Sequence, residues 1–76
     1  MEELLAALKK AVSKVDWKEG MENLVEDGIL DSIDIIAIVS EITDAFDIEI
    51  PSEEMEAENF DSVQAMHEMI LRIQDE

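Results

Sequence analysis

Cysteine is missing from all 76 residues of this chain, and positive charge is scarce: 5 lysines and arginines face 21 aspartates and glutamates, a formal net charge of -16 at pH 7. Without cysteine there is neither a disulfide framework nor a thiolate metal site, and any thiol chemistry needs an imported group. The charge balance works against phosphate backbones and anionic lipid surfaces, so no nucleic-acid partner is expected. No apolar run approaches the roughly 18 residues of a membrane span, which leaves no stable membrane insertion. The opening Met1-Glu2-Glu3 lacks the basic and apolar regions of a secretory signal, so a cytoplasmic location is expected. A single histidine, His67, builds no typical zinc site without partners. EF-hand spacing and a glycine-rich phosphate loop are missing as well, leaving only weak, adventitious divalent-cation binding by the acidic surface.

What is present predicts one small folded domain spanning 1-76, monomeric and very soluble, with no room for a deep active-site cavity. The apolar fraction of 47% is ordinary for a folded chain, so acidity alone does not imply disorder. From Glu2 to about Asp16, Leu4/Leu5, Leu8, Ala11/Val12 and Val15 recur at helical spacing, with acids first and lysines later, as the helix dipole favours. Trp17 to Leu30 loses that period and holds both glycines, Gly20 and Gly28; it reads as a long loop anchored by its apolar side chains, Trp17 among them. A second helix is predicted from about Ser32 to Phe46, ending near Asp47 without a glycine stop. Ile48-Glu49-Ile50-Pro51 is a connector, because the residue before proline favours extended backbone. Ser52 followed by Glu53 and Glu54 reads as the capped start of a short third helix that cannot extend far beyond Ala57. Asp61 and Gln64 have the spacing of a capping box, and Val63, Met66, Ile70 and Ile73 form the stripe of a fourth helix ending near Gln74. The expected fold is all-α, a small four-helix bundle with a long first loop.

The organising stretch is Gly28-Ile29-Leu30-Asp31-Ser32-Ile33-Asp34-Ile35-Ile36, where a loop becomes a strongly apolar helix. A serine at a helix start is ordinarily a cap. At about 100° per residue, Ile35, Ile38, Val39, Ile42 and Phe46 share one stripe, assigned to the core. Ile33, Ile36 and Ala37 fall outside it, beside Ser40, Thr43 and Asp44. A small apolar cluster ringed by acids next to that serine has the profile of a docking patch. Between Lys18 and Arg72 there are 16 acids and no lysine or arginine, so the surface around Ser32 is expected to carry one sign of charge and to steer basic partners. His67 lies about 40° from Val63 and reads as a core-edge residue rather than a catalytic base. The carboxylates lie on solvated helix faces, and no catalytic residue is assigned. The five methionines, Met1, Met21, Met55, Met66 and Met69, are spread through the chain and read as core filling.

Asp31-Ser32-Ile33-Asp34 at mid-chain, an apolar helix closing on Phe46-Asp47, then Ile50-Pro51 with Glu53-Glu54 and a last helix after Phe60 resemble an acyl carrier protein over essentially the whole chain. That resemblance implies that Ser32, with Asp31 beside it, is the attachment site of a covalent 4'-phosphopantetheine, added by a phosphopantetheinyl transferase that uses coenzyme A and magnesium. It implies a non-enzymatic carrier of thioester-bound acyl groups in fatty-acid, polyketide or related biosynthesis. Its partners would be acyl-transferring or acyl-activating enzymes with basic docking patches. By motif position, Ile33, Asp34, Ile36, Ala37, Glu41 and Asp44, with Glu53 and Glu54, form the implied docking set. The spacing of Gly28 from Asp31 by Ile29-Leu30 is more similar to D-alanine and other dedicated carriers. The alternative from a different class is an acidic helical interaction module in which Ser32 only caps and Ile33 and Ile36 dock a basic protein.

Overall fold

The computed structural model describes residues Glu2 to Asp75. Four α-helices are found there: α1 (Glu2–Ala11), α2 (Ser32–Phe46), α3 (Ala57–Phe60) and α4 (Val63–Gln74), with a 3-10 turn at Ser52–Glu54. The all-α bundle expected from the sequence is therefore the fold. Apolar side chains from every helix and from the long loop meet in one core: Leu4 and Leu8 of α1, Ile38 and Ile42 of α2, Phe60 of α3, and Val63, Met66, Met69 and Ile70 of α4. Burying each such side chain contributes about 1.5–3 kcal/mol before chain entropy is subtracted. The predicted α2 stripe holds, with Ile35, Val39 and Phe46 packed against the core at its margins. Met66 and Met69 fill the core as expected and Met21 packs at its edge. Met55 is 41% exposed and fills nothing. Met1 lies outside the described residues.

Three element boundaries differ from the sequence-based expectation, each for a local hydrogen-bonding reason. Helix α1 stops at Ala11 rather than near Asp16. There the Trp17 indole Nε1–H donates to the Val12 carbonyl at 2.9 Å, satisfying a helix-end acceptor from the side chain and turning the chain toward the core. The expected short third helix is two pieces. Ser52 caps nothing; Pro51 precedes the 3-10 turn without a side-chain bond, and Met55 and Glu56 separate that turn from α3. At the start of α4 the cap is Ser62, whose Oγ accepts from the Ala65 amide at 2.9 Å, and not Asp61. Asp61 is freed for a longer-range task.

That task is to hold the long loop. Asp61 Oδ1 accepts from the amides of Val25 and Glu26 at 2.9 and 3.0 Å, and its backbone carbonyl accepts from Leu24 at 2.7 Å. Val63 in turn donates to the Met21 carbonyl at 3.2 Å. With Trp17, Leu24 and Leu30 buried, the loop is fixed at both its apolar side chains and its backbone. Gly28 makes the last turn at φ 73°, a left-handed conformation costly for a residue with a Cβ. The chain is thereby delivered to the start of α2 in a defined direction.

Candidate functional site

Asp31, in extended conformation, is the N-cap of α2. Its Oδ1 accepts from the Asp34 amide at 2.9 Å, and its own amide donates to Asp34 Oδ2 at 3.3 Å, a reciprocal capping box built from two aspartates. The ordinary reading, in which Ser32 caps the helix, does not hold in this arrangement. Ser32 occupies the first helical position, is exposed, and its hydroxyl is not spent on the cap. A carboxylate takes the role because it accepts a charge-assisted bond from an amide at the positive end of the helix.

Beside Ser32, Ile33 is 74% exposed and Ile36 is 66% exposed. Ile36 is therefore not buried against the long loop. Ala37 and Glu41 are half-buried, while Asp44 is exposed. Further along the outer side of α2, Ser40, Glu41, Thr43, Asp44 and Asp47 line a shallow, mostly polar cleft. The helix thus presents an apolar half next to Ser32 and an acidic half beyond it.

The expectation of uniform negative charge around Ser32 does not hold. Lys14, in the turn after α1, places Nζ 3.1 Å from Asp34 Oδ2. The pairing was invisible in the sequence because Lys14 and Asp34 are brought together only by the antiparallel packing of α1 on α2. The hydrogen bond from Lys14 is the main cause that lowers the Asp34 pKa, opposed by partial desolvation. Glu54 is likewise engaged: Arg72 of α4 donates from its guanidinium to both carboxylate oxygens, at 3.0 and 3.4 Å. This pairing lowers the Glu54 pKa and raises that of Arg72. Asn59 completes the clasp by donating to the Glu54 carbonyl at 2.7 Å. Glu53 remains exposed. Of the implied docking acids, Asp34 and Glu54 are therefore drawn into contacts within the chain.

His67 is half-buried at the far end of the bundle, in a cleft with Glu2, Glu3, Leu4, Phe46 and Gln74. Helix α2 ends there, in Asp47, so the histidine and Ser32 belong to opposite ends of the molecule. Among the described residues no group of three or more histidines and carboxylates could hold a metal ion. Among the described residues no helix is long and apolar enough to cross a membrane.

Residues 3–70 match the family described as "phosphopantetheine attachment site". The chain is also 32% identical, over 78 aligned residues covering 100% of it and 99% of the relative, to the D-alanyl carrier protein of Lactococcus lactis subsp. lactis (strain IL1403). No solved structure gives a significant match.

Proposed function

This chain belongs to the phosphopantetheine-attachment family, and from that premise we propose that Ser32 is the residue to which its 4'-phosphopantetheine is joined. The observation that carries the assignment is the division of labour at the start of α2. Asp31 and Asp34 close the capping box, so the neighbouring hydroxyl is exposed and uncommitted. By contrast the Ser62 hydroxyl, also at a helix start, is committed to the Ala65 amide. The residues present fit the group. A phosphodiester on Ser32 lies at the positive end of a 15-residue helix, a favourable place for an anion. Asp31 opposes that benefit, whereas Asp34 is already neutralised in part by Lys14.

The carboxylates beside Ser32, Asp31 and Asp34, are engaged in the capping box, so the transferase must supply the base that takes its proton. Once attached, the group supplies a terminal thiol able to hold a carboxylic acid as a thioester, which accounts for a chain that does without cysteine. The protein's own part is to present the serine and to be recognised. Ile33 and Ile36 offer apolar contact, and Glu41, Asp44 and Glu53 offer negative charge to enzymes with basic docking patches, with Ala37 between the two halves. On this reading 1-76 is a single carrier domain working in the cytoplasm with no catalysis of its own.

D-alanine is the cargo we favour over a fatty acyl chain. The full-length similarity to a D-alanyl carrier supports it, as does the Leu30-Asp31-Ser32 approach to the serine. The test offers the loaded protein to a D-alanine-activating enzyme with ATP and, separately, to fatty-acyl-loading enzymes, with the thioester read by mass. A D-alanyl thioester is expected; efficient fatty-acyl loading without any D-alanyl transfer contradicts the cargo assignment. Proteolytic mapping should place the arm on the peptide containing Ser32.

A further inference from the structure

Lys14 stands out among the basic residues because its ion pair joins α1's exit to the capping box beside Ser32. Its ammonium meets Asp34 Oδ2, the same oxygen that accepts from the Asp31 amide. The Lys14 side chain is 62% exposed, while that of Asp34 is only 17% exposed. The helix start does not depend on the lysine, because the two bonds between Asp31 and Asp34 close the box by themselves. A cation can therefore be exchanged at this carboxylate without unwinding α2. Lys14 lies in the turn beyond the last residue of α1, on a flexible side chain that can swing into solvent.

Resting on the attachment reading above, we propose that Lys14 is a specificity-determining placeholder. It occupies Asp34 in the free protein and is displaced by a basic residue of an enzyme that docks over Ser32. The exchange sets how tightly basic partners bind. A partner must break one exposed ion pair to form its own, and its positive patch meets the lysine as a like charge on approach. Enzymes carrying an acidic group opposite Lys14 escape both costs, so the lysine discriminates between partners that would otherwise read the same acidic face.

The experiment measures phosphopantetheinyl transfer from coenzyme A, with magnesium and a transferase, to the wild type, to Lys14→Met, Lys14→Gln, Lys9→Met and Asp34→Asn, and to the double variant Asp34→Asn/Lys14→Met. Exposed Lys9 in α1 supplies the same change of net charge without touching the Lys14–Asp34 pair. Removing Lys14 in either form is expected to lower KM for the carrier about twofold to fivefold, the range expected of an exposed ion pair, with kcat unchanged. Lys9→Met should move KM by much less, and in the Asp34→Asn background the Lys14 effect should shrink. Circular dichroism confirms that each variant is folded. A KM for both Lys14 variants equal to that of Lys9→Met, or above wild type, overturns the proposal while leaving the attachment reading intact. Failure to load any of the proteins overturns both together.

Discussion

Two adjacent residues, Asp31 and Ser32, are both of a type that caps helices, and substitution shows which of them caps α2. Asp31→Ala removes the acceptor that satisfies the Asp34 amide, and a lost N-cap costs about 1 kcal/mol, or about 4–8 °C in Tm for a domain of this size. Ser32→Ala removes no bond of the capping box and should leave Tm within about 2 °C of wild type. Thermal melts of the two variants check this; equal losses would mean that Ser32 shares the cap. The pairing of Asp34 sets a pH signature. Lys14 holds its carboxyl below the usual aspartate range, so the pair stabilises the fold at pH values above the unfolded-state pKa of about 3.9, and the benefit is lost as pH falls through the folded value. The stability gap between wild type and Asp34→Asn should therefore be widest near neutral pH and close below pH about 4, as measured by urea titration across that range. A gap independent of pH would show that the ion pair adds nothing. At this scale the place of Ser32 at the head of α2 was legible in the sequence, but not its neighbours' duties. Asp, Ser and Asp within four positions are all good caps, and only backbone geometry decides which one is used.

Loops and helix ends carry the next level of consequence. Asp61 binds the amides of Val25 and Glu26 from 36 and 35 residues away, so Asp61→Ala leaves two loop donors without their acceptor. A loss of about 1–3 kcal/mol is expected, along with faster hydrogen exchange at those two amides and slower transferase modification of Ser32. Unchanged exchange would show that the apolar anchors alone hold the loop. At the other end of α2, Asp47 sits at φ 52°, a left-handed conformation, and its charge faces the negative end of the helix. Asp47→Gly should raise Tm by several degrees, on the order of 0.5–1 kcal/mol, and Asp47→Asn by part of that. Thermal melts of both variants apportion strain and charge. Helix α2 and helix α4 were legible because their apolar stripes run for three turns or more. The piece around Ser52–Glu54 and Ala57–Phe60 was not, because one turn of helix has no period to read and is held by the Glu54, Asn59 and Arg72 clasp. Ser62 was passed over for Asp61 because both are capping residues one position apart.

For the molecule as a whole, net charge and cofactor loading are the properties to measure. A charge of -16 on a chain with a radius of gyration of 11.1 Å makes self-repulsion a persistent opponent of folding. Tm should rise between low and moderate salt, and further with magnesium, since screening acts on many exposed carboxylates at once; a flat or falling Tm contradicts this. The all-α class was readable from the periodicity of α1, α2 and α4, while the charge map near Ser32 needed the fold, because Lys14 reaches Asp34 only through packing of α1 on α2. The intact mass of the protein after incubation with coenzyme A, magnesium and a phosphopantetheinyl transferase bears most directly on the role assigned to Ser32. Wild type should gain the mass of one 4'-phosphopantetheine and Ser32→Ala, still folded, should gain none; loading of the alanine variant, or no loading of wild type by several transferases, would contradict that role.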